Sequence, residues 1–248
     1  MTSTTDPDNT KRSAVVFGAR NLGKAIIEAL LADGWSVAGA ARSDETLAGV
    51  TAAGALALRA DVTDQANVRA TIAAAAEAHG PVNLVVNAAA AYGGDRSGPF
   101  GGGPIASAAP DAFDSWAAAP GRSAFAFLSG AASFLTAQGG PATLIQVTGG
   151  SSRRAMAGRG LWAAGAFSVR AITQAAALEL RAQGMHVALL IVDAGIAPLD
   201  GSGRPGADPA TLADPHRLAD AVLFLAQQGA SSATHELQLT PLAENWVP

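Results

Sequence analysis

The chain has 248 residues, 49% of them hydrophobic, with a formal net charge of −4 at pH 7 and no cysteine. That balance argues against a broad nucleic-acid footprint, and the missing thiols exclude a disulfide framework and a thiolate metal site. No apolar run reaches the ~20 residues that a membrane span needs. The polar opening M-T-S-T-T-D-P-D-N-T-K-R lacks the charged-then-apolar order of a secretory leader. A cytoplasmic protein is expected, with a flexible tail over residues 1–12 and one domain over residues 13–248.

Residues 14–17 form a short apolar, β-branched run that turns on Gly18 and enters an amphipathic helix at about Leu22. A strand feeding a glycine-marked turn into a helix is the front half of a dinucleotide-binding βαβ unit. Gly18 permits the tight turn, and Gly23 lets the helix sit close to the strand. Asn21 and Leu22 open the helix, where free N–H groups and the positive dipole end meet a pyrophosphate. The spacing sets Gly18, Arg20 and Gly23 where G-x-G-x-x-G sets three glycines, with a cation in the middle. An ordinary strand-to-helix turn with helpful glycines reads the same way.

Residues 35–41 (W-S-V-A-G-A-A) read as a buried second strand ending at Arg42-Ser43, and a helix follows with Asp44 near its cap. Residues 55–59 make a third strand, closed by D-V-T-D over residues 61–64. The alanine-rich 65–78 is a helix by propensity. Residues 82–86 make a fourth strand, running into Asn87. Residues 88–110 are a glycine- and proline-rich loop on the carboxyl side of a central strand, where α/β sheets build ligand sites. Residues 111–135 read as a helix interrupted at Pro120-Gly121. A fifth strand (142–147), a long helix (161–183) stopped by Gly184, and a strongly apolar sixth strand (186–192) follow. A second irregular excursion covers 193–213, then a helix (215–228) and a last short strand (236–239). Strand and helix alternate with short connections. The expected fold is α/β, a doubly wound parallel sheet of about seven strands with helices on both faces.

This order of elements resembles the short-chain dehydrogenase/reductase family over nearly the whole chain, and implies its Rossmann-like fold. Asp61-Val62 resembles the family's pair beside adenine. Asn87-Ala88-Ala89 looks like its N-A-G after the fourth strand, and Ala194-Gly195-Ile196 resembles its P-G-x-I turn beside the nicotinamide. A-L-E-L (residues 177–180) matches the end of its active-site helix. The glycine turn is one residue shorter than the family's T-G-x-x-x-G-x-G and has one glycine fewer. A carboxylate ending the second strand would select NAD(H); here Arg42 and Ser43 stand there, with Arg20 and Lys24 nearby, so NADP(H) is the expected cofactor. Arg42 as a merely solvated charge is the other reading. The resemblance also implies a homodimer or homotetramer, a small-molecule ligand, and neither nucleic acid nor membrane as partner.

The family's chemistry rests on a Tyr-x-x-x-Lys pair, an upstream Ser and an Asn. Aligned on A-L-E-L and on F-D-S-W (residues 113–116), those positions hold Trp162, Ala166, Gly149 and Pro120. The only tyrosine is Tyr92, and no lysine follows Lys24. Indole donates one N–H but is no acid near neutral pH. Candidate replacements are Tyr92, as proton donor or pocket aromatic, and Ser151, Ser152, Arg153 and Arg154, as oxyanion binders or a solvated loop. Asp193 is a candidate base, with a turn-capping carboxylate as the preferred reading. The four histidines share no spacing that suggests a metal. Three functions stay open. One is an atypical NADP(H)-dependent oxidoreductase whose proton comes from substrate, water or Tyr92, since a reactive acceptor can dispense with a strong acid. The others are a non-redox enzyme (isomerase, cyclase or lyase) in the same pocket, and a non-catalytic nucleotide-binding or regulatory pseudoenzyme.

Overall fold

A computed structural model describes residues 12–90 and 98–244. Residues 1–11 of the expected tail and Tyr92 lie outside the described residues, whereas Arg12, expected in the tail, is held by the Asp33 carboxylate at 3.1 Å and lies over the Trp35 ring. In chain order the elements are β1 (Ser13–Phe17), α1 (Asn21–Ala32), β2 (Ser36–Ala41), α2 (Asp44–Ala52), β3 (Leu56–Arg59), α3 (Gln65–His79) and β4 (Val82–Asn87). Then come α4 (Ala119–Gln138), β5 (Ala142–Gly149), α5 (Gly160–Leu180), β6 (Met185–Val192), β7 (Gly195–Ile196), β8 (Leu212–Ala213), α6 (Pro215–Ala226) and β9 (Glu236–Leu239).

Seven strands form one sheet in the order β3-β2-β1-β4-β5-β6-β9, and every pairing is parallel. The pleat explains why β1 is apolar throughout: Ala14 and Val16 face one helix layer, Val15 and Phe17 the other. The first layer packs Ile26, Ile27 and Leu30 of α1 with Leu218, Val222 and Leu225 of α6. The second packs Ile72 of α3 with Phe127 and Leu135 of α4, and Phe127 meets Phe17 edge-to-face at 5.9 Å. Strands are added outward in both directions from β1 and β4, so a crevice opens between their carboxyl ends.

Two local readings are corrected. Pro120 does not interrupt a helix; it is the second residue of α4, and the irregularity precedes it as a π-helical turn over Asp114–Ala118. Proline has no N–H to donate one turn back, so the preceding turn widens to the longer register, with Ala119 N–H donating to Asp114 O. The excursion after β6 is not wholly irregular either, because β7 and β8 pair as a two-residue parallel ribbon. No helix among the described residues is long and apolar enough to cross a membrane.

Candidate functional site

The crevice at the carboxyl ends of β1–β4 is a cleft of about 840 Å³. Its wall contains Gly18, Arg20, Asn21, Leu22, Arg42, Ser43, Asp61, Val62, Ala88, Ala89 and Ile196, brought together from five separate stretches of sequence. A larger groove of about 1120 Å³ lies at the opposite edge, by the amino ends of β5 and β6. Ligands of open α/β sheets sit at the carboxyl edge, which favours the smaller cleft.

Gly18 (φ +83°) donates its N–H to Ala40 O at 2.9 Å, and a Cβ there would lie 2.5 Å from Ala89 N. Only glycine lets this turn pass so close over the end of β4. A Cβ on Gly23 would sit 2.2 Å from Gly18 O, so Gly23 is buried beneath the turn rather than lining it. Arg20 occupies the N-cap of α1 with no side-chain cap, and the first turn carries no acidic residue. Gly23 N–H donates to Arg20 O at 2.9 Å, so the N–H groups of Asn21 and Leu22 are the ones that keep their donor capacity at the positive end of α1. Asn21 spends its side chain elsewhere: it donates to Ala197 O and accepts from Leu199 N, both at 3.0 Å, clamping the segment after β7 onto the turn.

At the far end, Ser43 caps α2 by accepting from Thr46 N at 3.4 Å. Arg42 is largely exposed, 3.8 Å from the Asp61 carboxylate. Asp61 in turn accepts from Thr63 N at 3.0 Å and Thr63 Oγ1 at 2.8 Å. Burial pushes the Asp61 carboxyl up, but the Thr63 hydrogen bonds and the Arg42 guanidinium outweigh it and hold it below the usual carboxylate range. Arg59 holds the Arg42 carbonyl and the Asp44 carboxylate, fixing the start of α2. Asn87 does not line the cleft; it is buried, donates to Gln146 Oε1 at 3.0 Å and accepts from Ala89 N at 3.1 Å. Gly195 is also set back, beneath the Arg204 guanidinium.

Beyond the cleft, Ala119 of its wall leads into α4, and the turn before it packs on α5. A Cβ on Gly165 would meet Trp116 O at 2.3 Å and Pro120 Cγ at 3.0 Å. Trp162 on the first turn of α5 faces Gly149, where an added Cβ would lie 3.7 Å from its ring. Phe100, which the sequence did not single out, stands edge-to-face on Trp162 at 4.9 Å and on Trp116 at 5.0 Å. Ala166 is buried one turn further along α5.

The arginines after β5 do not extend into open space. Arg153 binds Glu236 at 3.0 Å, and Arg154 binds Asp193 at 3.4 Å and Glu244 at 3.9 Å. Ser151 and Ser152 are buried in the intervening turn. Asp193 is not a turn cap: its carboxylate packs over Gly150, paired with Arg154 and accepting from Gln238 at 3.3 Å. Only a glycine at 150 leaves room for it. Burial pushes the Asp193 carboxyl up, Arg154 pulls it back only in part, and Glu244 adds to the rise. Its folded-state pKa lies above the unfolded value, so the native state holds the extra proton and stability falls as pH rises through that window. Asp193→Asn is therefore expected to be more stable than the wild type at pH 7, the gain fading as pH falls toward the usual carboxylate range. Urea unfolding at several pH values checks this; a less stable variant at pH 7 would show that the Arg154 pair outweighs the burial.

Among the described residues, no group of three or more His, Asp or Glu is placed to hold a metal ion. Thr46, Thr63 and Ala119 join the cleft without having been expected there. Thr63 was readable from D-V-T-D as an Asx turn on Asp61. Phe100, inside a glycine run, carries no periodic signal.

Comparison with known proteins places the chain. An alcohol dehydrogenase from the archaeon Thermococcus sibiricus, complexed with 5-hydroxy-NADP, superposes with a TM-score of 0.77 at 21% identity, covering 96% of this chain and 100% of that one. A metagenomic short-chain oxidoreductase in complex with NADP gives 0.71 at 25% identity, covering 94% and 98%. A short-chain oxidoreductase from Pseudomonas aeruginosa PAO1, described as containing an atypical catalytic centre, gives 0.76 at 21% identity, covering 96% and 98%. No functionally curated protein matches the sequence. The sequence profile of the short chain dehydrogenases matches residues 12–197, most of the length, and the chain belongs to that family.

Proposed function

We propose that the cleft holds NADP(H) and that the protein is an atypical oxidoreductase working without the Tyr–Lys pair. The observation that carries the reading is the convergence of the glycine turn, Arg42-Ser43, Asp61-Val62, Ala88-Ala89 and Ile196 on one cleft at the switch of strand order. The fit of the dinucleotide rests on the Gly18 cradle, which a Cβ would fill, and on the uncapped, acid-free start of α1. Asn21 and Leu22 N–H groups would take the pyrophosphate, Asp61 and Val62 the adenine, and Ala88, Ala89 and Ile196 the nicotinamide end. Arg20 and Arg42 supply the cations that a 2′-phosphate requires. The Arg42–Asp61 pair is long and exposed, worth about 0–1 kcal/mol, so Arg42 is readily recruited. The bound nicotinamide supplies a hydride; the chain supplies orientation and the exclusion of water. NADP in the metagenomic relative and the atypical centre of the Pseudomonas protein both support the reading.

The close packing of Trp162 between Gly149 and Phe100 favours a second reading, a nucleotide-binding protein without catalysis. Titration with NADPH, followed by nicotinamide fluorescence, tests both. Saturable binding is expected, and turnover with a reactive acceptor separates the first from the second. Arg42→Glu is expected to weaken NADPH binding by roughly tenfold or more and leave NADH little changed, because a charge-assisted contact to the 2′-phosphate is lost. Equal losses for both cofactors would remove the NADP(H) assignment. A homo-oligomer built on α4 and α5 accords with the exposed Phe125 and Phe167 on those helices.

A further inference from the structure

We infer that Asn21 is a positioning residue that assembles the nicotinamide end of the cleft from protein contacts alone, before any nucleotide arrives; the inference rests on the NADP(H) reading above. Three observations carry it. First, one side chain joins two parts of the cleft that are far apart in sequence. Asn21 and Ile196 both belong to its wall. Asn21 Nδ2 donates to Ala197 O and Asn21 Oδ1 accepts from Leu199 N, both at 3.0 Å. An amide offers its donor and its acceptor side by side, so the two bonds fix the orientation of residues 197–199 as well as their distance from the turn. Ala197 follows Ile196 directly, and its N–H donates to Ala213 O at 2.9 Å. Ile196 is thus held between the β7–β8 ribbon and the Asn21 amide.

Second, little else sets the place of this segment. Among the described residues, the bond from Leu199 N–H to Asn21 is the only hydrogen bond joining residues 198–210 to another element. The remaining ones are local: Gly201 N–H to Pro198 O, Ser202 N–H to Asp200, Ala207 N–H to Arg204 O and Ala210 N–H to Asp208. Residues 200–206 are all exposed. The Leu199 side chain packs on the α1–α6 core layer, which gives adhesion without direction.

Third, the backbone of Asn21 is bent to suit the task. At φ +34° it is the only non-glycine residue with a positive φ among the described residues. Asparagine tolerates that region better than most side chains. Counting back from Gly23, Asn21 stands where T-G-x-x-x-G-x-G has its middle glycine. The glycine missing from the turn is therefore replaced by a residue that keeps the left-handed backbone and adds an amide. Its own N–H still faces the pyrophosphate site, so one residue serves both ends. A site competent only a fraction of the time binds with a Kd raised by the inverse of that fraction, and the clamp removes this loss.

The test uses the full chain and Asn21→Gly, which keeps the left-handed backbone and its N–H but deletes the amide. Without nucleotide, hydrogen exchange across residues 195–213 is expected to quicken about tenfold in the variant, and NADPH should restore most of the protection. The Kd for NADPH should rise about fivefold, as for a segment in place one time in five. The Kd for adenosine 2′,5′-bisphosphate, which lacks the nicotinamide half, should stay within about twofold, because its contacts lie away from Ile196. An unfolding midpoint near that of the wild type confirms that the variant folds. Equal exchange in the two proteins, an unchanged Kd for NADPH, or equal losses for both ligands would overturn this inference alone. A freely exchanging Leu199 amide in the wild type would overturn it without any variant. Failure of NADPH to bind the wild type would overturn the NADP(H) reading and this inference with it.

Discussion

The triple variant Gly149→Ser, Trp162→Tyr, Ala166→Lys is expected to gain NADPH-dependent reduction of simple carbonyl compounds, by roughly a hundredfold over wild type. A Cβ at Gly149 meets only Trp162 Cζ2 at 3.7 Å and Val192 O at 3.9 Å, ordinary contact distances, so a serine fits without moving the backbone. Its hydroxyl would face residue 162, the relation needed for one group to hold a carbonyl oxygen while the other protonates it. Position 166 stands one helical turn beyond 162 on α5. An ammonium there favours the phenolate, and without it a tyrosine of pKa about 10 is too weak a participant near neutrality. Trp162→Tyr alone is therefore expected to gain little, and the gain should be strongly non-additive. Burying a lysine at a position now held by buried Ala166 lowers the unfolding midpoint, so activity is compared only among folded variants. A folded triple variant that binds NADPH yet reduces no carbonyl would mean that these three positions cannot serve as a proton relay.

The sequence was most informative where neighbours in the chain carry the physics. The alternating strands and helices, the strand-to-helix turn on Gly18 and the closing strand over Glu236–Leu239 were all legible, the inner strands β1, β4 and β6 most of all, because burial from both faces writes a nearly continuous apolar run. The convergence of Arg42, Asp61 and Ala88 followed from parallel topology, which sends every strand's carboxyl end to one edge. What was illegible depends on distant partners. Nothing local tells that Asn21 will clamp a segment 176 residues away, or that Arg153 and Arg154 will be neutralised by β9, the residue after β6 and the chain beyond β9. Read alone, two adjacent arginines after a strand look like an anion site. The π-turn before Pro120 hid for a different reason: proline marks an irregularity but not on which side of it the backbone yields.

Glu236→Ala is expected to destabilise the fold by about 3 kcal/mol, the low end for a broken buried pair because its arginines keep some exposure, lowering Tm by roughly 10 °C. Glu236 opens the edge strand β9, and its side chain is only 13% exposed. Arg170 grips it with two parallel hydrogen bonds, Nε to Oε1 at 2.7 Å and Nη2 to Oε2 at 2.9 Å, while Gln174 donates at 2.9 Å and Arg153 at 3.0 Å. One carboxylate thus ties α5, the turn after β5 and the last strand together, and truncating it leaves two half-buried guanidinium groups opposite nothing. Burial pushes the Glu236 carboxyl up, but Arg170, Gln174 and Arg153 together hold it below the usual range. A folded-state pKa below the unfolded one stabilises fully at neutral pH, and that contribution disappears as pH falls through the folded value. The difference between wild type and Glu236→Ala should therefore be largest at pH 7 and shrink in acid below the usual carboxylate range. Because Glu236 stands at the other end of the sheet from β1–β3, NADPH affinity of the folded variant should be unchanged. Thermal and urea unfolding from pH 3 to pH 8 reads all three outcomes; a loss below about 1 kcal/mol that is insensitive to pH would show that water already screens the cluster.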